Sequence, residues 1–305
     1  MRRANSYIFS ILYVVCCLSC QPQAGERAAS GKPYLLATTG MIADMLQHIG
    51  GDSVVVEALM RPGVDPHLYK ASQGDLRKIL DADYLFYNGL HLEGKLATIL
   101  EKQMRVKPVI AVADSLGNLI SVNKTTYDPH IWFDVSLWKA ATGNAARHLA
   151  RLDSGNASYY HANARNYMEQ LDSLDAWVHA QINTIPPNRR VLITAHDAFS
   201  YFGRAYGIEM KGLQGISTLS EFGLQDVSGL VAYIVDQRIP AVFVESSVSD
   251  RSLKAVMAGV RDRGGTVRIG GNLFSDAMGT AGTMEGTYIG MVKHNVNTIV
   301  AALKD

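Results

Sequence analysis

Cysteine is nearly absent: the 305-residue chain has three, Cys16, Cys17 and Cys20, all within its first twenty residues. The remainder can hold neither an internal disulfide nor a thiolate metal site, so any metal it binds is held through nitrogen and oxygen. An excess of charge is missing too. Lys and Arg number 29 against 28 Asp and Glu, which leaves no basic surface to neutralise a phosphate backbone and argues against nucleic acid as a partner. No G-x-G-x-x-G opens a helix after the first strand and no Lys-Ser/Thr follows Gly270-Gly271, which removes nucleotide binding. Ser200, Ser246 and Ser247 lack the setting of a nucleophile elbow, which removes serine hydrolase chemistry. Beyond the N-terminus no stretch is apolar enough to cross a membrane.

With 48% hydrophobic and 19% charged residues, the chain can bury one large core or two ordinary ones, and disorder is excluded. It begins Met1-Arg2-Arg3, continues with an apolar run from Tyr7 to Leu18, and reaches Ser19-Cys20. That is the order of an export signal over 1–19. A cysteine directly after the cut resembles a bacterial lipobox, with Cys17 standing where such boxes usually carry an aliphatic residue. Cys20 is therefore expected to be acylated and to tether the protein to a membrane. The small, polar stretch that follows, 20–33, suits a flexible spacer.

After the spacer, short apolar runs alternate with helical patterns. Strands are expected at Tyr34–Thr38, Val54–Leu59, Tyr84–Tyr87 and Val109–Val112, with helices at Ile42–Ile49, Gln73–Leu80 and Leu92–Met104. A second series has strands at Val191–Thr194, Ile208–Lys211, Ala241–Val244 and Thr266–Ile269, and helices near Phe199–Tyr206, Leu224–Gln237, Ser252–Arg263 and Thr283–Leu303. Between the series, Tyr160, Ala164, Tyr167, Leu171, Leu174, Val178 and Ile182 define one stripe on a long helix stopped by Pro186-Pro187. The fold class expected is α/β: two lobes with parallel-type sheets flanked by helices, joined by one long rigid helix. The boundaries are an N-terminal lobe over 34–152, the linking helix over 153–187 and a C-terminal lobe over 188–305.

Of nine histidines, three stand in a loop or at a strand's C-terminal end, the edge where open α/β sheets bind ligands. His67 lies in Gly63-Val64-Asp65-Pro66-His67, His130 in Asp128-Pro129-His130-Ile131-Trp132-Phe133-Asp134, and His196 in Thr194-Ala195-His196-Asp197. Asp276 offers a carboxylate in a comparable loop after the last strand. Three imidazoles and a carboxylate could close a site for a divalent transition ion, although spacings of 63, 66 and 80 residues form no local motif. Asp65, Asp128, Asp134, Asp197 and Glu245 are candidates to receive the second N–H of a ligating imidazole, or else to cap helices. His48, His148, His161, His179 and His294 fall in helical patterns and are expected to face solvent. His91 is read as packing or capping beside a helix start. Trp132, Trp138 and Trp177 are read as core, with Trp132 near enough to His130 to wall the site.

Five ordered strings resemble the TroA-like (cluster A-I) metal-binding lipoproteins of bacterial ABC importers. They are Pro62-Gly63-Val64-Asp65-Pro66-His67, Asn88-Gly89-Leu90-His91-Leu92-Glu93-Gly94, Asp128-Pro129-His130-Ile131-Trp132-Phe133-Asp134, Thr194-Ala195-His196-Asp197-Ala198-Phe199 and Ser275-Asp276-Ala277-Met278-Gly279. The resemblance runs from about Tyr34 to the C-terminus. It implies an extracytoplasmic binding protein, a monomer and not an enzyme, that captures Zn2+ or Mn2+ with His67, His130, His196 and Asp276 and delivers it to an ABC permease. Some relatives carry Glu at the third ligand position and are associated with manganese, whereas His196 resembles the zinc-binding or dual members. Two departures stand out: Asp114–Tyr127 lacks the histidine-rich loop of dedicated zinc members, and Ser220-Glu221-Phe222-Gly223 replaces a Glu-Pro-Ser found in many relatives. Imidazole-rich donor sets favour zinc over manganese at equilibrium, with ferrous iron between them. A zinc-dependent hydrolase or a surface adhesin is the alternative. A hydrolase needs a coordination position left open for water, whereas four protein ligands close the shell.

Overall fold

A computed structural model of the chain describes residues 31–220 and 222–304. The expected export signal over 1–19, the expected acylation site Cys20 and the expected spacer up to residue 30 lie outside the described residues. Every described element belongs to the unit that begins at Lys32.

Four apolar runs of the first half, β1 (Tyr34–Ala37), β2 (Val55–Ala58), β3 (Tyr84–Tyr87) and β4 (Val109–Ala111), form a parallel sheet in the order β2-β1-β3-β4. Successive side chains leave a strand on opposite faces. Leu35 and Ala37 accordingly enter one apolar cluster and Tyr34 and Leu36 another; Phe86 and Leu85 divide in the same way. Helices α1 (Gly40–Gly50), α2 (Gln73–Asp81) and α3 (Ala97–Gln103) lie in the crossovers. Ser72 and Asp75 form a capping box on α2, which satisfies N–H groups that a first helical turn leaves without carbonyl partners. α3 starts later than the expected Leu92, because Gly89, Leu90 and His91 all have positive φ (87°, 53° and 66°), and left-handed backbone does not continue into a right-handed helix. His91 is exposed in that turn.

Helix α4 (Val135–Leu152) is not among the expected helices, although His148 within it was placed in a helical pattern. Helix α5 (Ala157–Ile182) has 26 residues, about 39 Å at 1.5 Å per residue. It buries the seven residues of the expected stripe, Tyr160 to Ile182.

The second half contributes β5 (Val191–His196), α6 (Ser200–Tyr206), β6 (Glu209–Gln214), α7 (Leu224–Gln237), β7 (Ala241–Glu245), α8 (Arg251–Asp262), β8 (Arg268–Leu273) and α9 (Tyr288–Leu303). β5 pairs in parallel with β6 and β7 with β8, while β5 runs beside β7. The winding order of the first sheet thus recurs. The last strand extends past the expected Ile269 to Leu273 and contains Gly270 and Gly271. A Cβ at Gly270 would meet the Phe243 ring and Ala302, and one at Gly271 would meet Thr298. The glycine pair is therefore a packing device that lets α9 lie directly on β8.

One apolar cluster runs through both lobes, from Leu35, Met41 and Trp138 past Tyr167 and Leu171 to Phe243, Tyr288 and Ile299. Smaller clusters fill the outer face of each sheet. α5 packs against α1 and α4 on one side and α9 on the other, so the linking helix is embedded in shared core. His48 stacks on Tyr167 with ring centroids 4.1 Å apart, and His294 contacts the Asn272 carbonyl at 3.0 Å. These two and His148 are half-buried, not solvent-facing as expected; His161 and His179 are exposed.

Candidate metal centre

The C-terminal edges of the two sheets supply the loops in question. β2 leads into the loop carrying His67, β5 ends on His196, and β8 leads into Asp276. His130 sits one residue before a single 3-10 turn, Ile131–Phe133, that enters α4. Asp134 accepts from the N–H groups of Ser136 and Leu137 at 3.0 and 3.2 Å, fixing that helix start.

The structure brings all four sequence-predicted ligands together. One ligand atom from each of His67, His130, His196 and Asp276 lies within 4.8 Å of every other, and none of these residues is more than 2% exposed. His67 Nε2 is 3.3 Å from His130 Nε2. Asp276 Oδ1 is 3.4 Å from His130 Nε2, and its Oδ2 is 3.3 Å from His196 Nε2. A tetrahedron with metal–ligand bonds of about 2.0–2.1 Å has edges of about 3.3–3.4 Å. Three of the separations therefore match the edges of a zinc-like shell. His196 Nε2 and both oxygens of Asp276 are buried without a hydrogen-bond partner. Orphaned buried polar atoms are costly, and these converge on one point where a cation would satisfy them all.

Two imidazoles have carboxylates behind them. Asp128 Oδ1 accepts the His130 backbone N–H at 2.9 Å and lies 2.7 Å from its Nδ1. Glu245 Oε1 accepts the His196 N–H at 2.9 Å, and its Oε2 forms an ion pair 2.6 Å from Nδ1. At His130 a proton held on Nδ1 by Asp128 leaves the Nε2 lone pair free for an ion. The other candidate carboxylates have different tasks. Asp65 accepts the His67 N–H at 2.8 Å, Asp134 caps α4, and Asp197 accepts the Ser200 hydroxyl at 2.7 Å. His67 thus has a carboxylate on its backbone and none on its ring among the described residues.

The protonation states divide accordingly. Burial lowers His67 to about 4, only partly countered by Asp276. For His130 burial acts downward but is outweighed by Asp128 and Asp276, which carry it up to about 9. His196 is raised well above its ordinary value, with Asp276 and Glu245 overcoming burial. Asp276 is held well below the usual carboxylate range: burial opposes its charge, and His196 and His130 outweigh it.

The loop carrying His130 is bound into the interior. Asn88 Nδ2 donates to the Pro129 carbonyl at 2.9 Å. Asn88 N and Thr38 Oγ1 each donate to buried Glu93 at 2.7 Å. Tyr201 OH donates to Asp128 O at 2.9 Å, Trp132 Nε1 to Ser275 O at 2.9 Å, and Tyr288 OH to Trp132 O at 2.7 Å. Trp132 meets the His130 ring edge-on at 5.2 Å, walling the site as expected. Asn88, Glu93 and Thr38 were missed as supports. Asn88 and Glu93 lie in one of the quoted strings, which was the available signal.

A family model described as "ZnuA: Zinc-uptake complex component A periplasmic" matches residues 35–302. The chain is 48% identical to the manganese-binding lipoprotein MntA of Bacillus subtilis over 288 residues, 93% of this chain and 94% of that one. It is 47% identical to the zinc-binding protein TroA of Treponema pallidum, with 91% of each chain covered. A solved structure of periplasmic zinc-binding TroA from Treponema pallidum superposes with a TM-score of 0.88 at 46% identity, covering 90% of this chain and all of that one.

Proposed function

This chain belongs to the ZnuA family of zinc-uptake components, and we propose that within it His67, His130, His196 and Asp276 are the ligands of the transported ion. The protein is the solute-binding component of a metal ABC importer and not an enzyme. It captures a divalent transition ion, zinc or manganese, and passes it to a permease. The observation that carries the ligand assignment is the cluster of buried donor atoms with three edges of 3.3–3.4 Å and orphaned atoms on His196 and Asp276.

Three nitrogens and a carboxylate favour zinc over manganese at equilibrium, while the names of the relatives above divide between the two metals. Both oxygens of Asp276 face the imidazoles, so this carboxylate can bind through one or both. Enclosure of all four donors speaks for carriage over hydrolysis, because a catalytic zinc keeps a position open to water and substrate. For localisation we read the export signal over 1–19 and acylation of Cys20 as placing a monomer on a membrane outside the cytoplasm, with residues 34–152, 153–187 and 188–305 as first lobe, link and second lobe.

Elemental analysis of protein purified without added metal tests the assignment. One ion per chain in the parent, lost in Asp276→Ala and His196→Ala, is expected. Equal metal content in the variants would remove those residues from the ligand set.

A further inference from the structure

The four ligands are closed from solvent, so at least one of their loops must move for the ion to enter or leave. The loop between β2 and α2 is the one suited to it. Arg61, Pro62 and Gly63 at its tip are exposed. Gly63 takes φ 74°, a turn open to glycine, and a Cβ there would stand 3.5 Å from the Ser246 carbonyl of the second lobe. The loop thus approaches the far lobe closely before it delivers His67.

Its side-chain tie to that lobe is Thr218, whose hydroxyl donates to Asp65 Oδ2 at 2.6 Å. The other oxygen of the same carboxylate accepts the backbone N–H of His67 at 2.8 Å. Asp65 therefore couples Thr218 to the ligand's own backbone. Thr218 is itself held in place: Gln214 Nε2 donates to the carbonyls of Thr218 and Ser220 at 2.6 and 2.5 Å, and Gln214 lies opposite His196 in the β5–β6 register. The path Gln214, Thr218, Asp65, His67 joins the strand pair that bears one ligand to the loop that bears another.

Resting on the reading of the centre given above, we infer that Thr218 is a latch: its hydrogen bond to Asp65 holds the His67 loop closed over the ion and sets the rate of release. It is a positioning residue and does not touch the ion. Losing one hydrogen bond to a charged group corresponds to roughly a tenfold or larger change in an equilibrium or rate.

The test is the dissociation rate of zinc from the full chain, followed by transfer to a chromogenic chelator in stopped flow, for the parent, Thr218→Val, Thr218→Ser and Gln214→Met. Thr218→Val is expected to release zinc about tenfold faster. Thr218→Ser, which keeps the hydroxyl, is expected to restore the parent rate, and Gln214→Met to shift the rate in the same direction as Thr218→Val. A merely structural role would lower the melting temperature and leave the release rate alone, which overturns the latch. A parent that takes up no zinc would overturn the reading of the centre and the latch with it. A parent that binds zinc beside a Thr218→Val variant of equal release rate would overturn the latch alone.

Discussion

His130, His196 and Asp276 stand on backbone that buried partners hold from several sides, whereas His67 stands on a loop tied across the cleft, among the described residues, by the hydroxyl of one threonine. The difference extends to charge. His130 and His196 are raised by carboxylates, and His67 is lowered by burial. In the proposed centre, fixed geometry and matched charge on three donors would give selectivity, since donor number and distance choose the ion, and freedom on the fourth would give access. A receptor that must both hold an ion tightly and surrender it benefits from keeping these tasks on different loops.

The largest expected effect tests the charge half of this contrast. With His130 and His196 both raised in the metal-free state, an incoming dication should displace protons as it binds, so affinity should rise with pH. Titration calorimetry in buffers of different ionisation enthalpy measures the number; release of no protons would erase the distinction between these imidazoles and His67. The same values shape stability without metal. His130, at about 9 against an ordinary 6.5, contributes stability fully below about pH 6.5 and loses it as pH rises through about 9. His67, at about 4 against 6.5, contributes above about pH 6.5 and loses it as pH falls through about 4. These two contributions together should be greatest near pH 6.5, which melting curves across the range would show.

Next comes removal of a ligand. Taking four ligands to share a binding free energy of about 10–16 kcal/mol, each substitution should cost roughly a hundredfold in zinc affinity. The contrast lies in the metal-free protein. Asp276→Ala leaves two imidazoles without their shared carboxylate and should destabilise the fold by about 3 kcal/mol; His67→Ala removes a neutral ring and should cost about 1 kcal/mol. Equal losses in urea titrations would show that His67 is as deeply integrated as the rest. Smaller still, Asp128→Asn and Glu245→Gln should each weaken zinc binding by about 10–100-fold, and competition with a chelator of known affinity checks it. The smallest effect is expected from Trp132→Phe, which removes the hydrogen bond to the Ser275 carbonyl and should lower stability by about 1 kcal/mol.

Much of this arrangement was legible in the sequence because its signals are periodic or local. Seven apolar residues at steps of three and four marked α5, and the short apolar runs marked the parallel strands. The four clustered donors were legible because each sits in a distinctive string, those of His67, His196 and Asp276 at or after a strand end and that of His130 before a helix. Helix α4 was legible only in the helical pattern around His148, for a physical reason: six of its ten buried positions are Ala141, Thr142, Asn144, Ala145, Ala146 and Ala150, small or polar residues that let helices approach closely but make no hydrophobic stripe. β8 was displaced because Gly270, Gly271 and Asn272 carry no strand signal, and only the presence of α9 against them explains the glycines. Thr218 left no trace at all. Its partner is 153 residues away, and Ile216-Ser217-Thr218-Leu219 reads as an ordinary turn.

The common core that threads both lobes bears on how the protein is made. Tyr288, at the start of the final helix, stacks on Trp138 at 5.2 Å, and Met291, Val296 and Ile299 of the same helix complete the cluster begun by Leu35. A chain secreted N-terminus first therefore emerges with its founding strands still missing the residues that cover them. Neither half should become protease-resistant until the sixteen residues of this helix, Tyr288–Leu303, have cleared the translocation pore, so maturation waits for their arrival.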